Sequence, residues 1–299
     1  MSVVRVAGLH KSYGDTKAVD GLSFEVREGE VYGLLGHNGA GKSTTIEILE
    51  GHRERTSGDV EVLGLDPAAG GRELRDRVGI VLQSSGMDIE LSVRETITLY
   101  GSVYRRQRPI DEVLELVGLT TKADARVSTL SGGQKRRLDL ALGIVGYPEL
   151  LFLDEPTTGF DPAARRRSWD MIQGLCSLGT TVVLTTHYLD EAEHLADRVG
   201  VITHGKLVAE GTPDELMAAS PTTTIRFELP DGVDPDALLV PADATYQGET
   251  CVIETSQPTR VLAEVMGAAT ARGHELAGLS VRRPSLEDVF LGLAGEEGV

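Results

Sequence analysis

The stretch GHNGAGKST, residues 36–44, restricts the possible folds of this chain more than any other part of its sequence. Gly36 is followed after four residues by Gly41, Lys42 and Ser43, which is the spacing of a phosphate-binding loop. EVYGLL, which precedes this stretch, has the pattern of a strand. STTIEILE, which begins at Ser43, has the pattern of a helix. A strand, a glycine-rich loop and a helix in this order predict an α/β fold with phosphate bound at the helix N-terminus.

The residue types in this loop suit the chemistry of a nucleoside triphosphate. Glycine allows the backbone to turn so that its N–H groups point at a β-phosphate. Lys42 would place a positive charge between the β- and γ-phosphates, and the Ser43 hydroxyl would bind Mg²⁺. The predicted phosphate-binding residues are Gly36, Asn38, Gly39, Ala40, Gly41, Lys42, Ser43 and Thr44.

The rest of the first 219 residues repeats the alternation of apolar strands and helices. RVGIVLQ, ELLFLDEP and TTVVLTTH are apolar runs of strand length, whereas SVRETITLYGSVYRR and IDEVLELVGL have helical spacing. Buried strands that alternate with helices predict a largely parallel sheet that is covered on both faces. We also predict short strands before residue 32 and a helical subdomain over about residues 84–145.

The last part of the chain differs in composition and predicts a second domain. Residues 221–299 contain thirteen acidic and five basic residues and no lysine, and the stretch MAASPTTT, residues 217–224, has the composition of a linker. The predicted element order is βαββαβ followed by a helix, which suggests a small α+β domain of ferredoxin-like type. We therefore expect one domain over residues 1–219 and an accessory or assembly domain over 220–299.

Two acidic residues directly follow a predicted buried strand in LLFLDEPTTG. In open α/β sheets, ligands bind at the carboxyl ends of the strands. Asp154 would orient Mg²⁺ through water, and Glu155 would polarise the water that attacks the phosphate. A strand that ends in two solvated acids is the simpler reading of this segment alone, and the phosphate loop elsewhere in the chain makes it the less favoured one.

A second phosphate-binding signal lies in STLSGGQKRRLDL. Ser131, Gly132 and Gly133 come directly before a helix-like run, so free backbone N–H groups would lie at the positive end of that helix. The chain therefore has two phosphate-binding signals, about ninety residues apart.

The phosphate loop, the Asp–Glu pair and the LSGGQ motif occur together in this chain. On these motifs, residues 3–217 resemble the nucleotide-binding domain of ABC transporters. The resemblance implies a P-loop NTPase fold of that type, ATP and Mg²⁺ as ligands, and a head-to-tail homodimer. Each ATP would lie between the phosphate loop of one chain and the LSGGQ signature of the other. It follows that Ser131, Gly132, Gly133 and Gln134 would contact the ATP of the second chain.

Four further positions match the motifs of this family. Tyr13 resembles the aromatic residue that stacks on adenine, and Gln83 resembles the glutamine that contacts Mg²⁺ and connects to the helical subdomain. His187 resembles the histidine that contacts the γ-phosphate and, with Glu155 and Gln83, completes the predicted catalytic set. Asp161 resembles the residue that reaches across the dimer. An ordinary turn tyrosine and a surface glutamine are the alternatives for the first two.

The segments TTGFDPAARRR, THYLDEAEHLADRV and PSLEDVFLGLAG resemble the daunorubicin-resistance branch of drug exporters. That branch implies ATP hydrolysis coupled to efflux of a drug, antibiotic or other amphipathic compound through a separate transmembrane permease. We accordingly expect the chain at the cytoplasmic side of the cell membrane. Exporters of lipids, glycans or ions share much of this pattern and stay as alternatives.

Composition bears on the remaining function classes. The net charge of −17 argues against nonspecific nucleic-acid binding, which needs a basic surface, so no nucleic-acid partner is expected. No apolar run approaches the ~20 residues of a membrane-spanning helix. A soluble ABC ATPase of translation or DNA repair is a less favoured alternative, because this chain has one phosphate loop and no sustained heptads. KRR (135–137) and RRR (165–167) are interpreted as solvated helix faces.

Overall fold

The computed structural model describes residues 1–81, 86–219, 223–230, 232–282 and 285–290. The chain divides into two compact units, Met1–Pro213 and Asp214–Val299, which we describe separately. This division lies six residues before the position predicted from the linker, so the boundary at residue 219 stays a prediction.

The first unit alternates strands and helices along most of its length. Its strands are β1 (Ser2–Tyr13), β2 (Thr16–Arg27), β3 (Val31–Leu35), β4 (Ser57–Val62), β5 (Val78–Val81), β6 (Leu150–Asp154), β7 (Thr181–Thr186), β8 (Arg198–Thr203) and β9 (Lys206–Gly211). Its helices are α1 (Lys42–Leu49), α2 (Gly71–Arg75), α3 (Val93–Gly101), α4 (Ile110–Leu116), α5 (Gly132–Ile144), α6 (Pro162–Ser177) and α7 (Leu189–Leu195). A further helix, α8 (Pro213–Ala219), spans the division between the units.

The main sheet confirms the predicted α/β fold. In the described residues it has six strands in the order β5-β6-β7-β3-β8-β9, parallel except for β9, which pairs antiparallel with β8 at one edge. Every residue of β3 and β7 is buried, as expected for strands that are covered on both faces. The carboxyl ends of β3, β6 and β7 lie side by side, because Leu35 pairs with Thr186 and Asp154 pairs with Thr185.

A second sheet was not predicted. β1 and β2 form a long antiparallel hairpin instead of short strands, and β4 pairs with the other side of β1. The apolar side chains of this sheet share one buried cluster with residues of β3 and α1. Both strands of the hairpin have twelve residues, because inward apolar residues continue along each of them despite several register shifts.

The helices between β5 and β6 form a separate layer around a second buried cluster. α3 begins with a capping box in which the side chains of Ser92 and Glu95 bond each other's backbone N–H groups. α3, α4 and α5 contact one another. Val93, Ile97 and Leu138 are fully buried between them, so the signature helix α5 is fixed by apolar packing.

The second unit has the strand order of a ferredoxin-like domain. Its elements are β10 (Thr223–Glu228), β11 (Thr245–Gln247), β12 (Thr250–Thr255), α9 (Pro258–Ala271) and β13 (Ser280–Arg282), with helical residues again at 286–290. The sheet order is β11-β12-β10-β13, and every neighbouring pair is antiparallel. The predicted first helix is only a 3₁₀ turn, Pro235–Leu238, because Leu239 adopts a left-handed conformation with φ 55°. In the described part of the chain, no helix has the length and apolar character needed to cross a membrane.

Candidate functional site

The phosphate loop connects the end of β3 to the start of α1, as the sequence predicts for a phosphate-binding turn. Gly41 stands directly before α1 with φ 105°, a conformation that strongly favours glycine. A Cβ atom on Gly41 would lie 2.3 Å from the carbonyl oxygen of Ala18, and one on Gly36 would lie 2.5 Å from that of Ile202. Both glycines are therefore required by close backbone packing as well as by the turn.

Replacing Gly41 by alanine tests this packing. We expect Gly41→Ala to lower the free energy of unfolding by more than the ~1–2 kcal/mol that a left-handed conformation alone costs. Gly39→Ala is the matched control, because Gly39 also has a positive φ, 85°, but no atom lies within 4 Å of its added Cβ. Urea unfolding of both variants measures the difference. Equal losses for the two would show that the contact with Ala18 is unimportant.

Lys42 bends back over its own loop. Its ammonium Nζ donates to the carbonyl oxygens of Gly36 at 2.7 Å and His37 at 3.2 Å. Burial lowers the pKa of Lys42, and the nearby carboxylates of Glu155 and Asp154 oppose that shift. A cleft of about 330 Å³ lies beside the ammonium and is lined by Ala18, Asn38, Gly39, Gly41, Lys42, Ser43, Thr44 and Glu155. The ammonium group of Lys42 and the glycine-rich loop therefore line the same cleft.

Asp154 and Ser43 meet at the carboxyl edge of the sheet. Asp154 Oδ1 accepts a hydrogen bond from Thr185 Oγ1 at 2.5 Å and lies 3.5 Å from Ser43 Oγ, which can donate to it. Strands β6 and β7 therefore hold the carboxylate beside the first turn of α1. Carboxylate and hydroxyl oxygens are ligand types that Mg²⁺ prefers, so the residues present here fit that ion.

Glu155 and His187 form a hydrogen-bonded pair just beyond the ends of β6 and β7. His187 Nδ1 and Glu155 Oε1 are 3.1 Å apart, and the Thr158 hydroxyl donates to Glu155 Oε2 at 3.1 Å. The Glu155 side chain is only 14% exposed. Two side chains assigned from separate motifs therefore contact each other, next to the loop cleft.

The backbone of Glu155 is left-handed, with φ 47°. Such a conformation costs a residue with a side chain about 1–3 kcal/mol and persists where its surroundings fix it. The Glu155 N–H group donates to both the carbonyl and the hydroxyl oxygen of Thr185, each at 3.1 Å. No feature of the sequence indicates this strain.

The signature residues begin α5, in agreement with the predicted loop-to-helix transition. Ser131 is the N-cap, and its Oγ accepts from the Gln134 N–H at 3.3 Å while Gln134 Oε1 accepts from the Ser131 N–H at 2.9 Å. This capping box gives Gln134 a structural task that the S-x-x-Q spacing already indicates. Gly132 and Gly133 occupy the first helical turn, where N–H groups have no acceptor within the helix.

A second cleft, of about 560 Å³, lies in front of the signature. The residues that line it include Ser131, Gly132, Gly133, Gln134, Glu155, Phe160 and Asp161. Asp161 caps α6 through a 2.8 Å bond from the Ala164 N–H to its Oδ1. Because Glu155 lines this cleft as well as the loop cleft, it lies between the two predicted half-sites of one chain.

Tyr13 lines neither of the two clefts. The Tyr13 ring, at the end of β1, is exposed, and Lys11 Nζ and Arg53 Cζ lie 5.0 and 5.4 Å from its centre. Arg53 also donates to the Tyr13 hydroxyl at 2.5 Å. Both cations lie over the ring, so an adenine that stacks on Tyr13 would take the place of at least one of them. Gln83 lies outside the described residues.

The interpretation of both arginine runs as solvated faces is wrong for Arg136 and Arg165. Their side chains are only 13% and 19% exposed. Arg165 pairs with Asp190 at 2.8 Å, and Arg136 donates to three backbone carbonyl groups, one on the last residue of β6 and two on the residues after it. Leu140, one helical turn after Arg136, marks this face of α5 as buried, a signal that could have revealed Arg136 in the sequence.

Comparison with known proteins adds to this geometry. Residues 19–158 match the family model "ABC transporter", and residues 223–285 match "ABC transporter domain-containing protein-like, C-terminal domain". The chain is 41% identical to Nod factor export ATP-binding protein I of Rhizobium sp. (strain N33) over 98% of this chain and 97% of that protein. It is 39% identical to Daunorubicin resistance ATP-binding protein DrrA3 of Streptomyces coeruleorubidus, over 99% of this chain and 97% of that protein.

Solved structures show the same fold. CbiO1 of Clostridium perfringens, described as part of the ABC transporter complex cbiONQ, has a TM-score of 0.66 and 31% identity over 73% of this chain and 91% of its own. A dimeric ATP-binding cassette in a post-hydrolysis state with ADP and Pi has a TM-score of 0.63 over 70% of this chain and 98% of its own. The latter is 24% identical and bears on the fold alone.

Proposed function

Because this chain belongs to the ABC transporter family of ATP-binding proteins, we propose that it energises export through a separate membrane permease. The chain is an ATPase of the ABC type, as its family and relatives show. Export is supported by similarity over nearly the full length, second unit included, to proteins named for Nod factor export and for daunorubicin resistance. Those names differ in the compound, so the proposal covers a drug or another amphipathic compound, with lipid, glycan or ion export as the alternative.

One observation carries the catalytic part of the proposal. Lys42, Asp154, Glu155 and His187 come from distant parts of the sequence and meet at one edge of the main sheet. We assign the loop N–H groups and Lys42 to the β- and γ-phosphates of ATP. Glu155 accepts the proton of the attacking water, and His187 holds the Glu155 carboxylate in place.

The same edge supplies the residues that would hold Mg²⁺. These are Ser43 and Asp154, with Gln83 as a further ligand on grounds of family resemblance alone. When bound, the ion neutralises charge on the phosphate oxygens. Ser43 lies in the first turn of α1, so ATP binding at the loop and metal binding at Asp154 involve the same helix end.

We propose that the signature cleft serves the ATP of a second copy of this chain. The Ser131 oxygen already accepts from the Gln134 N–H, which leaves its hydroxyl hydrogen to donate to a phosphate. The Gly132 and Gly133 N–H groups lie beside it in the first turn of α5. Asp161 lines the same cleft and belongs to the surface that would meet the second copy.

The permease contact is assigned to a groove beside α3. This groove, of about 690 Å³, is lined by basic, acidic and apolar residues, among them Arg72, Arg75, Asp76, Tyr100 and Val103. Leu99, Tyr100 and Val103 are exposed by 56%, 39% and 62%, which is unusual for large apolar side chains so close together. A permease segment with apolar side chains complements the exposed apolar part of this surface. The chain would then lie at the cytoplasmic side of the membrane.

A charge in this groove should disrupt the contact. We expect Val103→Glu to weaken association with the co-purified permease at least about tenfold, because it buries a carboxylate in an apolar interface. ATP affinity should stay unchanged. Leu178→Glu is the matched control, since Leu178 is 57% exposed and does not line the groove. Binding titrations in detergent measure both, and equal affinities for the two variants would place the permease elsewhere.

The proposed function as a whole is tested by co-purification and activity. We expect the tagged chain to recover a polytopic membrane protein that raises its Mg-ATPase rate. The proposal fails if the chain hydrolyses ATP at the same rate with and without every membrane protein that it retains.

A further inference from the structure

Arg136 lies on the signature helix but contacts the segment that follows β6. It is five residues beyond Ser131 on α5. Its Nε donates to the Pro156 carbonyl oxygen at 3.0 Å, and its Nη2 donates to those of Asp154 at 3.1 Å and Glu155 at 3.2 Å. One guanidinium thus bonds three consecutive carbonyl groups.

These bonds are made in a nearly closed environment. The Arg136 side chain is 13% exposed, and Asp139 Oδ2 lies 3.9 Å from its Nη1. Burial lowers the pKa of Arg136, while Asp139 and Asp154 oppose the shift, and a guanidinium stays protonated in proteins. Hydrogen bonds from a charged donor to buried carbonyl groups are stronger than neutral ones and fix the geometry of their acceptors.

The middle one of the three carbonyl groups belongs to the strained residue. Glu155 has a left-handed backbone that its neighbours must fix. Thr185 binds its N–H group, and Arg136 binds its C=O group. The peptide groups on both sides of Glu155 are therefore held, one by strand β7 and the other by helix α5.

We propose that Arg136 is a positioning residue that sets the direction of the Glu155 carboxylate for activation of water. Ser131 precedes the helix that carries Arg136, and it is assigned to the ATP of the second copy. Glu155 acts on the ATP in this chain's own phosphate loop. Arg136 therefore connects the residues that serve the two ATP molecules. This inference rests on the proposed roles of Glu155 and of the shared site. A movement of α5 on closure of the signature cleft would be transmitted directly to Glu155.

The test replaces Arg136 in the full-length chain with its permease. We expect Arg136→Ala to lower kcat for ATP about 10- to 100-fold, the range for a catalytic group that is misplaced by about 1 Å. KM and the equilibrium affinity for ATP should change much less than kcat, because Arg136 lines the signature cleft but uses its guanidinium to bind backbone carbonyl groups. Arg136→Lys keeps the charge but has a single donor nitrogen in place of the fork, so an intermediate kcat is expected.

Arg77→Ala is the matched control. It removes the same kind of side chain from a position where Arg77 donates to the Leu63 carbonyl oxygen at 3.0 Å and pairs with Glu149, and Arg77 lines neither the loop cleft nor the signature cleft. We expect its kcat to be within about threefold of the unmodified chain. Thermal unfolding of each variant shows whether it is folded.

The outcomes separate the inference from the proposed function. A kcat of Arg136→Ala equal to that of the unmodified chain, or an equal fall for Arg77→Ala, overturns the positioning role. If Arg136→Ala does not fold, Arg136→Lys decides in its place, and a kcat equal to that of the unmodified chain overturns the role. Glu155→Gln is measured beside them. Normal hydrolysis in that variant contradicts the proposed function itself, whereas its loss together with full activity of Arg136→Ala contradicts the inference alone.

Discussion

Glu155→Gln is expected to abolish most ATP hydrolysis while ATP binding continues. The amide cannot accept the proton of the attacking water, so kcat should fall by about 100- to 10,000-fold, the usual contribution of general-base catalysis. The amide has nearly the same shape and can still hydrogen-bond His187 Nδ1, now 3.1 Å from Glu155 Oε1. The loop cleft around Lys42 should therefore be preserved.

The trapped state gives this prediction a second measurement. With hydrolysis blocked, an ATP-bound dimer should accumulate and elute earlier on a sizing column. Glu149→Gln is the matched control, because Glu149 stands just before the other end of β6 and forms an exposed ion pair with Arg77. Its turnover should be close to that of the unmodified chain, since exposed pairs contribute about 0–1 kcal/mol to stability. Near-normal turnover in Glu155→Gln would remove Glu155 from the proposed mechanism.

The main sheet was predictable because its signals are local. The buried strands β3, β6 and β7 are continuous apolar runs, and the residues after them follow from strand direction alone. Carboxyl ends of parallel strands meet at one edge, so the proximity of the loop, Glu155 and His187 follows from the fold class.

Features that depend on long-range pairing were not predictable in the same way. The sheet of β1, β2 and β4 requires β1 to pair with residues some fifty positions later in the chain. The residue pattern of a single strand does not specify which other strand it pairs with. The contact of Arg136 with the β6 segment likewise joins residues about twenty positions apart through one side chain. A run of three basic residues looks the same whether its members are solvated or buried.

The roles of Lys42, Asp154 and Glu155 follow from residue type and spacing, and that of His187 follows from resemblance. The structure adds constraints that these motifs do not contain. The left-handed backbone of Glu155 depends on bonds from Thr185 and Arg136, neither of which belongs to the motif. The capping box of Ser131 and Gln134, by contrast, is local and could have been read from its spacing.

The second large effect concerns the division of one ATP site between two chains. Lys42→Ala removes the ammonium from the phosphate loop, and Ser131→Arg puts bulk and charge into the signature cleft. Each variant alone should have almost no ATPase activity, because both sites of its dimer carry the lesion. In a mixed dimer, the damaged loop of one chain faces the damaged signature of the other, so both lesions fall in one site. The second site then combines an intact loop with an intact signature.

ATPase activity of the two variants, separately and co-expressed with the permease, is the most direct measurement of this central claim. Differently tagged chains and two successive affinity steps isolate the mixed dimer. The account predicts that the mixed dimer hydrolyses ATP at a rate of up to about half that of the unmodified dimer, because one of its two sites is intact. Each variant alone should stay inactive. A purified mixed dimer as inactive as its components would contradict the shared site, provided that a dimer of unmodified and Lys42→Ala chains retains activity and so shows that one working site suffices.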